Sequence, residues 1–159
     1  MEQIIESLKE QIKKAPSPRL YLELSELLKK DNEIEEAIEV LKEGIKKYQR
    51  YIPLFVNLGK IYFENKDWEN AIDIFNEVIK IDRENTISIK CLAIAYEEKK
   101  DYVEAIKKYK FLRVFLPQDE ELKKKIEELE ILANPPLSPK EKKILKFKKI
   151  LGKINKGSL

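Results

Sequence analysis

Residues 52–85 read IPLFVNLGKIYFENKDWENAIDIFNEVIKIDREN. Apolar side chains recur at helical spacing on both sides of the polar stretch Glu64, Asn65, Lys66 and Asp67, so the segment describes two helices joined by a short turn. Its Ala71 and Ile72 recur as Ala37 and Ile38, and as Ala105 and Ile106, thirty-four residues to either side. Aligned on the alanines, other columns fall into register: Tyr21, Phe55 and Ile89; Leu24, Leu58 and Leu92; Ser25, Gly59 and Ala93; Leu28, Tyr62 and Tyr96. Later in each unit come Ile34, Trp68 and Tyr102, then Leu41, Phe75 and Tyr109, then Gly44, Val78 and Leu112. Agreement of this extent at one fixed period is the signature of a solenoid built from helix pairs.

These columns resemble the tetratricopeptide repeat, whose pattern places a large apolar residue at position 4, Leu at 7, a small residue at 8, an aromatic at 11, Ala at 20 and an aromatic at 24. The small residues at positions 8 and 20 stand where the two helices cross, so that the backbones approach closely, and the large ones fill the space beside the crossing. The match covers residues 18–51, 52–85 and 86–119 without insertion or deletion. It departs at position 15, where the usual Gly is Asn32, Lys66 and Lys100, and at position 32, where Pro appears only as Pro117. The resemblance implies an all-α fold, a right-handed α-solenoid of antiparallel helix pairs.

The chain has 159 residues, 43% apolar and 38% charged, which describes a helical protein with an apolar stripe on each helix. No stretch approaches the length that spans a bilayer, and MEQIIESLKE at the N-terminus is unlike a secretory signal, so a cytoplasmic location is expected. Histidine is absent, which removes the side chain best suited to proton transfer near neutrality and excludes serine–histidine and cysteine–histidine nucleophile pairs. Cys91 is the only cysteine, so no intramolecular disulfide forms and no metal-ligand spacing exists. The four glycines form no phosphate-cradling loop. No catalytic residue, metal or cofactor is therefore expected, and the function classes left are those of a binding protein. Abundant carboxylates lie beside lysines, as in Glu120 with Lys124 and Glu121 with Lys125, an i,i+4 arrangement that supports a helix.

Outside the repeats, residues 1–16 are expected to form an N-terminal capping helix, with Ile5, Leu8 and Ile12 covering the open face of the first repeat before Pro16 and Pro18 end it. Asp67 and Asp101 stand where N-caps are wanted. Residues 120–133 keep helical periodicity through Leu122, Ile126 and Leu129, but Lys123, Glu127 and Glu130 occupy the positions a fourth repeat would make apolar or small. This segment reads as a solvating helix. A Pro-rich linker over 134–139 follows, then a basic amphipathic helix over 140–156 opened by the capping-box pattern of Ser138, Pro139 and Glu141.

The resemblance further implies a concave groove lined by the first helix of each repeat. The candidate partner-binding residues there are Leu22, Glu23, Glu26, Val56, Asn57, Lys60, Phe63, Ile87, Lys90, Cys91, Ile94 and Glu97. Co-chaperones of this family that grip acidic chaperone C-termini use a carboxylate clamp of lysine, asparagine and arginine. At the five corresponding positions this chain offers Leu22, Glu26, Asn57, Ile87 and Cys91, so only Asn57 survives and capture of a carboxylate terminus is not expected. What remains is an apolar stripe, Leu22, Val56, Phe63, Ile87 and Ile94, between charges of both signs, which suits a helix or peptide from another protein.

The basic tail is the second informative feature. Residues 138–156 hold eight lysines against Glu141, a local charge of +7 in a chain whose total is +3, so residues 1–137 carry −4. Ile144, Phe147, Leu151 and Ile154 form a stripe at helical spacing, broadened by Ile150. These tail residues allow docking on the protein's own array, docking on a partner or a second copy in a homo-oligomer, or attachment to an anionic membrane surface. Nucleic acid is the least favoured, since Phe147 stands alone among the lysines and provides no stacking series. The sequence therefore points to a non-enzymatic protein-interaction scaffold or adaptor, with a peripheral membrane or assembly factor anchored by the tail as the alternative.

Overall fold

A computed structural model describes residues 2–135 together with 138, 140, 141, 143, 144, 146 and 147. Among the described residues up to 135, eight helices follow one another: α1 (Glu2–Lys14), α2 (Pro18–Lys30), α3 (Ile34–Lys47), α4 (Ile52–Glu64), α5 (Trp68–Ile81), α6 (Thr86–Glu98), α7 (Tyr102–Phe115) and α8 (Glu120–Ala133). No strand occurs among the described residues. Each helix packs on its sequence neighbours. In addition α2 touches α4 and α4 touches α6, whereas α3, α5 and α7 do not touch one another. The first helices of the pairs are thus drawn together and the second helices splay apart, so the array curves with α2, α4 and α6 on its inner side.

The period seen in the sequence is the period of the core. Ala37, Ala71 and Ala105 are completely buried at the three helix crossings, and Leu41 and Phe75 beside them are equally buried. Gly59 shows why position 8 stays small: a Cβ there would sit 2.8 Å from Phe75 Cε1. At the ends, α1 buries Ile5, Leu8 and Ile12 in the cluster with Tyr21, Leu24 and Leu28, and α8 buries Ile126 and Leu129 with Tyr109 and Leu112. Each end helix therefore removes from water an apolar face that its neighbouring pair would otherwise expose.

The turns are sharper than the missing glycines suggest. Asn32, Lys66 and Lys100 all adopt left-handed backbone, with φ of 65°, 58° and 61°. In each repeat this residue ends the first helix in the same double hydrogen bond. The amides of Asn32 and Glu33 donate to Lys29 and Leu28, those of Lys66 and Asp67 to Phe63 and Tyr62, and those of Lys100 and Asp101 to Glu97 and Tyr96. Asp67 and Asp101 then cap the next helix, accepting from the amides of Asn70 and Glu104. Asn85 and Asp119 do the same for α6 and α8 through Ser88 and Leu122.

Candidate functional site: the concave face

The inner side is built from α2, α4 and α6. A cleft of about 380 Å³ opens between α2 and α4, floored by Ser25 and Ile61 and walled by Glu26, Lys29, Lys30, Asn57, Lys60 and Glu64. Lys29 and Glu64 form an ion pair across it. Three residues singled out in the sequence, Glu26, Asn57 and Lys60, meet here. Asn57 is partly committed, since its Nδ2 donates to the Pro53 carbonyl at 2.9 Å. Neither Lys30 nor Lys60 forms an ion pair among the described residues, so the cleft presents free cations beside the Glu26 carboxylate.

The apolar stripe is less open than its spacing implies. Ile87 is half exposed at the start of α6, but Val56 is buried against Phe55 and Val78. Leu22 packs on the first core cluster and Ile94 on the third repeat's cluster. Phe63 meets Trp68 edge-on, ring centroids 5.2 Å apart. Helical periodicity marks the inward side of α2, α4 and α6 without separating a side chain turned to the groove from one turned to the neighbouring helix. Lys90 and Glu23 are exposed. Cys91 is half-buried against the middle repeat, and burial pushes its thiol pKa up, which keeps it protonated and unreactive.

Glu97 has a role that the sequence does not reveal. One of its carboxylate oxygens accepts from the Tyr109 hydroxyl and the other from Lys125 Nζ, both at 2.9 Å. It therefore ties α6 to α7 and to α8. Lys125 pairs with Glu97 and not with Glu121, and Glu120 is met by Lys123 instead of Lys124. The reason is that Lys125 lies on the array-facing side of α8, where Glu97, three-quarters covered, needs a donor more than a solvated Glu121 does. Burial, with the hydrogen bond to Glu97 second, raises the Tyr109 phenol pKa, and the Glu97 carboxylate raises that of Lys125. A related triad closes the first repeat, where Tyr21 donates to Glu43 at 2.9 Å and Lys47 donates to both.

In the tail, Ser138 and Glu141 form the reciprocal capping box, with the Ser138 amide donating to Glu141 and the Glu141 amide to Ser138 Oγ. Ile144 and Phe147 are exposed, at 48% and 67%, so the described part of the stripe is not buried on the array. Ile150, Leu151 and Ile154 lie outside the described residues.

Paired antiparallel helices repeating at a fixed period around a shared inner face define a helical-repeat solenoid, a class of interaction module. The tetratricopeptide repeat family model matches residues 18–46 and 53–85. No curated protein matches the chain. Among solved structures, the crystal structure of MamA protein is similar with a TM-score of 0.70 and 20% identity over 96% of this chain and 81% of that one. The Arabidopsis OM64 TPR domain gives 0.61 and 20% over 70% and 93%. The first TPR of Spaghetti (RPAP3) bound to HSP90 peptide SRMEEVD gives 0.62 and 19% over 71% and 90%. At such identities these likenesses speak for the fold. The chain is a tetratricopeptide repeat protein, an all-α solenoid of helix pairs.

Proposed function

We propose that the protein is a non-enzymatic scaffold or adaptor that holds a helix or peptide of another protein against the α2–α4–α6 face. The observation that carries this reading is the cleft between α2 and α4, where Glu26, Asn57 and Lys60 converge with Lys30 free beside them. Lys90 and Ile87 extend the surface onto α6, and both are exposed. A ligand with alternating charge and a few apolar anchors matches that lining. Such a ligand reaches Lys60 and Lys90 without disturbing Glu97, whose oxygens are engaged within the chain.

Affinity capture from the source cell tests this. Wild-type chain is compared with Lys60→Glu/Ile87→Glu, two exposed or half-exposed sites whose substitution leaves the buried core untouched. A partner retained by wild type and lost by the variant supports the groove. A partner held equally by both overturns it. The tail supports a second reading, attachment to a membrane or assembly surface, because Ile144 and Phe147 are exposed beside Lys140, Lys143 and Lys146. Flotation with anionic vesicles, comparing full chain with a chain ending at residue 137, decides it: absent or tail-independent binding removes that reading. Both readings take the protein to act in the cytoplasm.

A further inference from the structure

We propose a second docking surface, on the outer face of the third repeat, that takes an acidic amphipathic segment of another protein. The 34-residue register supplies an internal control. Where the first and second repeats carry Glu35 and Glu69, Glu43 and Glu77, and Lys46 and Lys80 on their second helices, the third carries Val103, Phe111 and Val114, and Phe115 stands at the position of Lys47 and Ile81. All four third-repeat side chains are exposed, Val114 at 74%. At three of the four positions charges give way to large apolar side chains that the fold does not need to bury, and Phe111 and Phe115 lie 5.5 Å apart as a tilted pair. Charge changes in the same place. The formal charge is −1 on α3 and −2 on α5, but +3 on α7.

Because α5 and α7 splay apart, a slot of about 270 Å³ opens between them. Ile79, Ile89 and Phe111 form its apolar lining, and Arg83, Lys107 and Lys108 stand at its rim. The one carboxylate there, Glu104, is already bound by Lys107. Among the described residues Arg83 and Lys108 form no ion pair. An apolar side chain of the ligand fits the slot while its carboxylates meet Arg83 and Lys108, and further apolar residues run along Val114 and Phe115. The protein's own tail is the wrong occupant, since its +7 would be set against the +3 of α7.

The test uses the full chain, isotope-labelled, and two synthetic amphipathic helices with leucine and phenylalanine on one face, the other face glutamate in one peptide and lysine in the other. The glutamate peptide should bind at least about tenfold more tightly than the lysine peptide, more weakly as salt rises, with amide shifts centred on α7 and Arg83. The variant Phe111→Glu/Val114→Lys gives the third repeat the residue types that both earlier repeats hold at these positions, so it should melt like wild type and bind at least about tenfold more weakly. Arg83→Glu, at an exposed loop site, should weaken binding several-fold on its own, which keeps the proposal testable if the double variant misfolds. Equal binding of the two peptides, unchanged affinity in the folded variants, or shifts confined to α2, α4 and α6 overturns the proposal. So does self-association of the wild type that the double variant abolishes, or capture of the α7 face by anionic vesicles without peptide binding.

Discussion

Replacing Lys66 and Lys100 by glycine should stabilise the protein. Both residues sit in left-handed backbone, φ 58° and 61°, at the point where α4 and α6 end. For an L-residue that conformation costs about 1–2 kcal/mol, because Cβ crowds the following carbonyl oxygen. Glycine removes the crowding but returns roughly 0.4–1 kcal/mol through the greater freedom of its unfolded chain. The balance is a gain of roughly 0.5–1 kcal/mol per site, and the two sites lie in different repeats with no shared hydrogen bond, so about 1–2 kcal/mol for the double variant. Both side chains are exposed and form no ion pair among the described residues, so truncation removes no compensating contact.

For a chain of this size 1 kcal/mol moves the melting midpoint by roughly 2–4 °C, which puts the double variant roughly 2–8 °C above wild type. Helix ellipticity followed through thermal and urea unfolding reads it. Lys66→Ala is the decisive control, because alanine keeps the Cβ and the strain, and it should leave the midpoint within about 0.5 kcal/mol of wild type. Asn32→Gly should change little, since asparagine tolerates the left-handed region. If Lys66→Ala stabilises as much as Lys66→Gly, or if the glycines lower the midpoint, strain at the turns is not what the structure stores.

Two further outcomes are expected. Gly59→Ala should destabilise by about 1 kcal/mol in urea unfolding, against the usual gain for a helical Gly→Ala change, because the new Cβ meets the fully buried Phe75 ring at 2.8 Å and about 1–3 kcal/mol of overpacking exceeds about 1 kcal/mol of helix propensity; a clear gain refutes the crossing geometry. In alkali, Tyr21 and Tyr109 should ionise above the ordinary tyrosine range in an absorbance titration, since burial raises both. The folded chain then holds protons that the unfolded chain has released, so stability present below the ordinary tyrosine pKa near 10 is lost as pH rises above it. Tyr109→Phe should flatten that alkaline loss, and an unchanged profile counts against the burial of the Tyr109 phenol beside Glu97.

How much was legible in the sequence follows from which positions the fold constrains. Ala37, Ala71 and Ala105 are wholly buried, and any larger side chain there would separate two backbones, so the period is written into the chain and the fold class follows from it. The turn conformation was harder to see, since lysine at position 15 carries no backbone preference for it. Two hydrogen bonds, from Lys66 to Phe63 and from Asp67 to Tyr62, impose it on the residue that happens to stand there. Asn85 and Asp119 carried legible capping signals, standing immediately before helical periodicity just as Asp67 and Asp101 do.

The inner face was only half legible, for a reason that bears on what the protein recognises. A first-helix residue one position from the groove also faces the next pair, and Val56 and Glu97 resolve that choice inward, one into an apolar cluster and the other onto Tyr109 and Lys125. Every large side chain spent on holding repeats together is withdrawn from ligand recognition. On the proposed reading, recognition falls to residues that no neighbour needs, which on the inner side are Lys30, Lys60, Ile87 and Lys90. By the same reasoning the outer face of α7 stands out, because Phe111, Val114 and Phe115 are large, exposed and unnecessary to the stacking of the repeats. A face that departs from its two internal counterparts while the core columns hold is where this chain's individual specificity has room to reside.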